Sequence, residues 1–245
     1  MTKAVNVLDI QRLAVTYRTR GGPVEAVRGI DLPIREGESV AIVGESGCGK
    51  TSVALAVMRL LNPHRSETRG SAWFNEKDLL RLSARGVNAI RGKDLAMIFQ
   101  DPMSSLTPYL TVGLQICEPL MHHLGLSPRE SRAEAVRLLE SVGFTRAERV
   151  LKRYPHELSG GMCQRIMIAS AIACSPRLLI ADEPTTALDV ITQAQVLDLI
   201  RGKQREHGMA LLLITHDLGI VASVCDRVAV MLDGRIVEAG TAETV

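Results

Sequence analysis

The sequence predicts an α/β fold: a mostly parallel sheet with an antiparallel edge region and a helical insert. Short apolar runs of buried-strand type lie at Ser39–Val43 and Leu178–Ala181, and helical sequence follows each of them. Between Gln100 and about Ser170 the hydrophobic pattern becomes helical, whereas residues 1–38 alternate apolar and polar side chains. Strands that alternate with helices are typical of parallel sheets covered by helices, so we expect one α/β core.

Antiparallel strands are expected at both ends of the chain. The alternation over residues 1–38 predicts short strands with a turn at Gly21–Pro23. Val228–Leu232 and Arg235–Glu238 flank Asp233-Gly234, a dipeptide that favours a two-residue hairpin loop. These elements predict the antiparallel edge region.

Two helices have clear boundary signals. Ser127 and Glu130 form a capping box that starts a helix over Pro128–Val142, which closes at Gly143. A second helix is expected near Val190–Glu206 and is stopped by the glycine that follows.

GESGCGKT at Gly44–Thr51 fits the pattern G-x-x-x-x-G-K-[ST] at every fixed position. A strand precedes it and a predicted helix, Ser52–Leu61, follows it, which is the setting that this motif needs. Backbone N–H groups and the helix start would face phosphates, Lys50 would reach the β- and γ-phosphates, and the Thr51 hydroxyl would face Mg²⁺. The alternative is a glycine turn before a helix. The candidate nucleotide-binding residues of this segment are Gly44, Glu45, Ser46, Gly47, Cys48, Gly49, Lys50, Thr51 and Ser52.

Two adjacent carboxylates, Asp182 and Glu183, close the apolar run Leu178–Ala181. Neighbouring side chains at a strand end point in different directions, so one carboxylate can serve Mg²⁺ while the other polarises water. A solvated acidic turn before Pro184 is the alternative.

Composition excludes several classes of protein. Lys plus Arg is 29 against 27 for Asp plus Glu, and aromatic residues make up only 3%, which argues against nucleic-acid binding. We expect no membrane span, because no apolar run approaches the necessary length, and no signal peptide in residues 1–20. The five cysteines show no C-x-x-C pairing and are expected to be reduced thiols, mostly in the core.

Further strings carry a family resemblance. LSGGM at Leu158–Met162 is the discriminating one, and it follows IFQDP at Ile98–Pro102. ALD at Ala187–Asp189 and LLLITHD around His216 come next in order. With the phosphate loop and the carboxylate pair, these motifs make the whole chain resemble the ATP-binding subunit of an ABC transporter.

The finer pattern is similar to the peptide/nickel importer branch of that family. GESGCGKT, IFQDPMSSLTP, YPHELSGGM and DEPTTALDVITQAQVLDLI all resemble this branch. Met162 resembles the D-type ATPase, since the partner ATPase more often carries Gln there. Relatives in this branch commonly continue past the position of Val245, so the end of this chain is compatible with a natural end or a truncation.

The resemblance implies a P-loop NTPase (RecA-like) core with an N-terminal antiparallel β subdomain and an α-helical subdomain. Residues 1–245 would form a single ABC ATPase domain. Within it, residues 1–99 and 171–245 would form the β subdomain plus the RecA-like core, and residues 100–170 approximately the helical subdomain.

The resemblance also assigns roles to single residues. Tyr17 would stack on adenine, Gln100 would ligate Mg²⁺ and hold the attacking water, and His216 would contact the γ-phosphate. The alternatives are a tyrosine packed at a sheet edge, a polar residue at a strand end and a capping histidine. The implied catalytic residues are Glu183, His216 and Gln100, and the implied ligands of Mg²⁺ are Thr51, Gln100 and Asp182.

The signature serine and glycines precede a helix-forming run, Met162–Ala173, whose free N–H groups and dipole suit an anion. In the family this surface faces the γ-phosphate on the opposite subunit, so two chains would sandwich two ATP molecules head to tail. The residues implied for this contact are Ser159, Gly160, Gly161 and Asp189.

The implied partners are a second, non-identical ATP-binding subunit, two transmembrane permease subunits and a periplasmic or extracellular substrate-binding protein. The chain would then lie peripherally on the cytoplasmic face of the membrane. The contact patch for the permeases is expected around Asp101–Glu118, which carries Pro102 and Pro108 and is predicted to be a loop.

The predicted function is ATP hydrolysis, through ATP-driven dimerisation, that energises import of peptides. Nickel or another small solute is the alternative substrate. A soluble ABC ATPase is a less favoured alternative, since no second cassette, coiled coil or zinc insert is visible. A binding module without chemistry is disfavoured because Lys50, Asp182, Glu183 and His216 are all present.

Overall fold

Two β-sheets organise the chain. The computed structural model describes residues 6–185 and 188–244. Within that part of the chain, a four-stranded antiparallel sheet packs beside a six-stranded, mostly parallel sheet. The predicted fold class, a P-loop NTPase core with an antiparallel β region and a helical region, is confirmed.

The antiparallel sheet has the strand order β2-β1-β4-β5. Its strands are β1 (Asn6–Thr19), β2 (Gly22–Arg35), β4 (Ser66–Phe74) and β5 (Lys77–Asp78). The expected short strands are wrong: β1 and β2 each run for 14 residues. They bend instead of ending, because the register shifts between Ile10 and Leu13 and Arg12 adopts a φ of 47°. The turn also falls earlier than expected, since Pro23 already lies in β2.

The six-stranded sheet has the order β10-β9-β3-β8-β7-β6. Its strands are β3 (Ser39–Val43), β6 (Leu95–Ile98), β7 (Leu178–Asp182), β8 (Ala210–Ile214), β9 (Arg227–Leu232) and β10 (Arg235–Thr241). All neighbours pair in parallel except β9 and β10, whose hairpin turns through Asp233 and Gly234, both at positive φ. The carboxyl ends of β3, β6, β7 and β8 therefore lie along one edge of the sheet.

Helices cover this sheet on both faces. They are α1 (Lys50–Val57), α2 (Ala84–Ile90), α3 (Pro102–Ser105), α4 (Val112–Leu124), α5 (Pro128–Ser141), α6 (Ala147–Val150), α7 (Gly160–Ile172), α8 (Val190–His207) and α9 (Leu218–Val224). Ala41 and Val43 of β3 pack in one core cluster with α4, α5 and α7. Val40 and Ile42 point the other way, into a cluster with α1 and the antiparallel sheet.

Local sequence signals predicted several helix ends correctly. The capping box between Ser127 and Glu130 forms, and Gly208 ends α8 in the left-handed conformation. The predicted helix Ser52–Leu61 starts two residues earlier and ends at Val57, because Gly49 leads directly into it and Arg59 leaves the helical region with a φ of 53°.

The prediction of a loop over Asp101–Glu118 is wrong in part. Asp101 caps α3 by accepting from the Met103 N–H at 2.9 Å, and Pro102 occupies the first helical position. Thr111 caps α4, which extends to Leu124 and accommodates Pro119. Pro102 therefore begins one helix, and Pro119 lies inside another.

None of the helices in the described ranges combines the length and the apolarity that a membrane crossing requires.

Candidate functional site

The phosphate loop joins β3 to α1 by a route that only glycine allows at two positions. A Cβ on Gly44 would lie 2.1 Å from the Met231 carbonyl oxygen, and one on Gly49 would lie 2.1 Å from the Ala26 carbonyl oxygen. Gly49 also has a φ of 109° as the residue before α1. The loop is thus pressed against β2 and β9, and α1 begins at Lys50 with its free N–H groups at the edge of the sheet.

Lys50 is the only lysine among the buried residues of the described chain. Its Nζ donates to the carbonyl oxygens of Gly44 at 2.7 Å and Glu45 at 2.8 Å. The ammonium group is therefore held across the mouth of the loop, where it can exchange carbonyl oxygens for phosphate oxygens.

A cavity of about 610 Å³ opens above the loop. It is lined by Tyr17, Ala26, Gly44, Ser46, Gly47, Gly49, Lys50, Thr51, Ser52, Gln100, Asp182, Glu183 and His216. The Tyr17 hydroxyl lies 3.0 Å from the Ser52 Oγ, which ties the ring to the first turn of α1. The structure thus brings most of the predicted site residues into one cavity.

Asp182 ends β7 and is 2% exposed. Burial raises the pKa of its carboxyl, against the opposing effects of the Thr51 hydrogen bond and the Lys50 charge. Within the described residues its Oδ1 is buried and has no hydrogen-bond partner. A buried carboxylate with an unsatisfied oxygen beside a threonine hydroxyl is a hard-oxygen donor set, and it fits Mg²⁺.

Glu183 turns the chain away from β7. Its φ of 52° is rare for a non-glycine residue, and its N–H donates to the Ile214 carbonyl oxygen at 2.8 Å. Its Oε1 lies 2.7 Å from Nδ1 of His216, which follows the end of β8. Because β7 and β8 are parallel neighbours, their carboxyl ends bring these two side chains together.

Gln100 reaches the same cavity from the end of β6. It stands two residues beyond Ile98 and leads into α3, so it joins the parallel sheet to the helices over residues 102–172.

Other predicted residues lie outside the cavity. Glu45 and Cys48 belong to the phosphate loop but do not line it. Cys48 is buried, with its Sγ 3.7 Å from the Lys50 Nζ. In this loop, therefore, the backbone and the small residues face the cavity.

The signature residues also lie elsewhere. Ser159 caps α7, accepting weakly from the Met162 N–H at 3.4 Å, and neither Ser159, Gly160 nor Gly161 lines the cavity. Asp189 caps α8 by accepting from the Thr192 N–H at 3.0 Å, and it also accepts from the Thr192 hydroxyl. Both hydrogen bonds lower the pKa of the Asp189 carboxyl. Ala187 of the ALD string lies outside the described residues.

Two residues at or beside the site were not predicted from the sequence. Ala26 of β2 lines the cavity, and an alanine in a strand carries no sequence signal for such a role. Gln164 of α7 is completely buried and donates from Nε2 to the Pro184 carbonyl oxygen, next to Glu183. A glutamine within an apolar helical run was the only available hint.

The fold and the site together define a nucleoside triphosphatase of the P-loop class. The family model described as ABC transporter matches residues 27–186, and the chain belongs to that family.

Curated relatives narrow the resemblance. The chain is 50% identical over 240 residues to the dipeptide transport ATP-binding protein DppD of Bacillus subtilis, covering 98% of this chain and 72% of the relative. It is 49% identical over 239 residues to the oligopeptide transport ATP-binding protein OppD of Salmonella typhimurium, covering 98% and 71%. The resemblance to the peptide importer branch and to its D-type ATPase is thus confirmed.

A solved structure agrees with the fold. The ATP-binding cassette MJ0796, in a dimeric post-hydrolysis state bound to ADP and Pi, matches with a TM-score of 0.87 and 27% identity. The match covers 96% of this chain and 98% of that one.

Proposed function

We propose that this chain is the ATP-hydrolysing subunit that energises import of peptides across the cytoplasmic membrane. The observation that carries the proposal is the single cavity in which Lys50, Asp182, Glu183 and His216 converge. The names of the relatives, which are dipeptide and oligopeptide transport ATP-binding proteins, support the substrate class.

We divide the chain as the sequence suggested. Residues 1–99 and 171–245 make up the β subdomain and the RecA-like core, and residues 100–170 approximately make up the helical subdomain. The run of five helices from α3 to α7 supports this division.

ATP would be held at both of its ends. The aromatic face of Tyr17 would stack on adenine, in the position that its contact with Ser52 fixes. The amides of the loop and of the first turn of α1 would bind the phosphates, and Lys50 would bridge the β- and γ-phosphates.

Mg²⁺ would be held by the Thr51 hydroxyl, by Asp182 directly or through water, and by the Gln100 amide. When bound, the ion neutralises charge on the phosphates and orients the γ-phosphate for in-line attack. The unsatisfied, buried Oδ1 of Asp182 supports this assignment.

Hydrolysis would depend on Glu183 as general base for water. His216, which contacts Glu183 at 2.7 Å, would position the γ-phosphate, and Gln100 would help to hold the attacking water. Because the Glu183–His216 pair spans two strand ends, both groups sit on rigid parts of the sheet.

We expect activity to depend on the divalent ion. Removal of Mg²⁺ with EDTA should abolish ATP hydrolysis, and Mg²⁺ or Mn²⁺ should restore it, because the donor set is made of hard oxygens. Steady-state phosphate release before and after metal replacement measures this. Hydrolysis that persists in EDTA, or stoichiometric Zn²⁺ in the purified chain by elemental analysis, would contradict the assignment.

The signature surface would serve a second subunit. Ser159, Gly160 and Gly161 lie at the start of α7, apart from this chain's own cavity, so they would bind the γ-phosphate held by the partner. Asp189 would lie at the same interface. ATP would then favour the closed dimer through contacts that exist only in that state.

A substitution at the signature tests this separation of sites. Ser159→Arg places a long cation at the start of α7 and should block closure, while ATP binding to this chain's own loop stays largely unchanged. ATP titration of the variant, and its ATP-dependent dimerisation with the partner ATPase, measure the two effects. Ser141→Arg, at the exposed end of α5, is the control. Normal dimerisation and full turnover by Ser159→Arg would contradict a composite site.

The remaining partners follow from this role. The chain would work on the cytoplasmic face of the membrane with a non-identical ATPase, two permease subunits and a substrate-binding protein. The segment Asp101–Glu118, with Met103 and Tyr109 exposed, would contact the permeases.

ATP hydrolysis by the assembled complex tests the substrate class. Binding protein loaded with peptide should stimulate turnover above the level of the unloaded protein. Stimulation by nickel-loaded protein alone would identify the metal importer instead. Full turnover by a chain shown to be monomeric in the assay would contradict the proposed assembly.

A further inference from the structure

A buried glutamine connects α7 to the turn that carries Glu183. Gln164 lies on α7, five residues beyond Ser159, and its side chain has no exposed surface. Its Nε2 donates to the carbonyl oxygen of Pro184, the residue that directly follows Glu183. A fully buried amide is costly unless it is hydrogen-bonded, so this contact helps to fix the position of the amide.

The segment that it holds has an unusual backbone. Glu183 adopts a φ of 52°, a conformation that costs free energy for a residue with a Cβ and persists only where neighbouring structure enforces it. On one side the Glu183 N–H donates to Ile214 of β8 at 2.8 Å. On the other side Gln164 holds the Pro184 carbonyl. The turn that places Glu183 beside His216 is therefore held by hydrogen bonds from two elements, β8 and α7.

Helix α7, which carries Gln164, is itself held in place by contacts with neighbouring structure. Arg165, next to Gln164, donates from Nη1 to the carbonyl oxygens of Val142 and Gly143 at 3.3 Å each. Its guanidinium also lies 4.5 Å from the centre of the Phe144 ring. These contacts join α7 to the end of α5, which leaves little freedom for α7 to follow a shift of the Glu183 turn.

We propose that Gln164 is a positioning residue that fixes Glu183 for catalysis. This inference rests on the proposed function, in which Glu183 is the general base and Ser159 acts on the partner's ATP. One helix then connects the two half-sites that a single chain contributes.

Two substitutions of similar shape test the role. Gln164→Met removes the amide donor and keeps the length of the side chain, and Gln164→Leu removes the donor with a shorter apolar side chain. Each should lower the single-turnover rate of ATP hydrolysis by roughly 10- to 100-fold, because a small displacement of a catalytic group has effects of that size. ATP affinity should change by less than about 3-fold, since Gln164 does not line the nucleotide cavity. Gln195→Met, on the exposed face of α8, is the matched control.

The measurement uses the purified chain in excess over ATP, or the assembled complex if the chain alone is too slow, with the thermal midpoint recorded for every variant. If Gln164→Met does not fold, Gln164→Leu carries the test. The decisive readout is a double-mutant cycle with Glu183→Gln. If Gln164 acts through Glu183, Gln164→Met should cause no further loss in that background.

Three outcomes separate the possibilities. A native rate for a folded Gln164→Met variant would overturn the positioning role. An equal fractional loss with and without Glu183 would also overturn it, because it would mark Gln164 as a residue of general structure only. An unchanged rate for Glu183→Gln alone would instead overturn the proposed function, and that result is read from a different variant.

Discussion

Glu183→Gln should retain ATP binding and lose about two to four orders of magnitude in the rate of hydrolysis. The substitution keeps the size and hydrogen-bonding reach of the side chain but removes its ability to take a proton from water. Glu183 is well placed for that step, because it lines the cavity and its Oε1 is held 2.7 Å from His216. Stopped hydrolysis should also trap an ATP-bound dimer, since closure needs only binding.

Phosphate release, nucleotide affinity and size-exclusion chromatography with ATP measure the three parts of this prediction. Glu140→Gln, at an exposed position of α5, should behave like the native chain. Unchanged steady-state hydrolysis by Glu183→Gln would show that the base lies elsewhere.

Lys50→Ala should weaken ATP binding and abolish turnover. A hydrogen bond between charged groups contributes about 2 kcal/mol, which corresponds to a loss of affinity of roughly 30-fold. Turnover should suffer more than affinity, because charge on the γ-phosphate oxygens must be stabilised throughout the reaction. The variant also loses the donor that now binds the Gly44 and Glu45 carbonyls, so the empty loop should become less ordered.

Nucleotide titration and single-turnover hydrolysis measure the effect of Lys50→Ala. Lys152→Ala, an exposed lysine beyond α6, controls for a general change of charge. Wild-type affinity together with a wild-type rate in Lys50→Ala would remove Lys50 from the site.

Features encoded by nearby residues were predictable from the sequence. The hairpin at Asp233-Gly234, the capping box at Ser127 and the glycine end of α8 depend on contacts within a few residues, and all three are confirmed. The expected loop at Asp101–Glu118 failed because proline was taken to exclude helix, whereas Pro102 can start one. The bulges that carry β1 through Arg12 depend on pairing with two other strands, which no local pattern reports.

In the candidate site, too, features marked by local motifs were predictable and features that depend on tertiary packing were not. The motifs place Asp182 at the end of one apolar strand, and Lys50 and His216 after two others. Parallel pairing brings the ends of these strands to one edge of the sheet. The two hydrogen bonds that hold the Glu183 turn could not be predicted from the sequence, because Ile214 and Gln164 reach it only after the sheet and α7 have packed. Tertiary hydrogen bonds of this kind have no fixed spacing along the chain.

Uptake of a labelled peptide into vesicles that hold the assembled complex tests the central claim most directly. ATP is supplied on the side of the ATPase subunits, and peptide-loaded binding protein on the other. We expect ATP-dependent uptake with the native chain. We expect none above background when both ATPases carry the Glu-to-Gln change, which is Glu183→Gln in this chain. Uptake at the native rate by that variant complex, or a native complex whose ATP hydrolysis and uptake ignore the loaded binding protein, would contradict that claim.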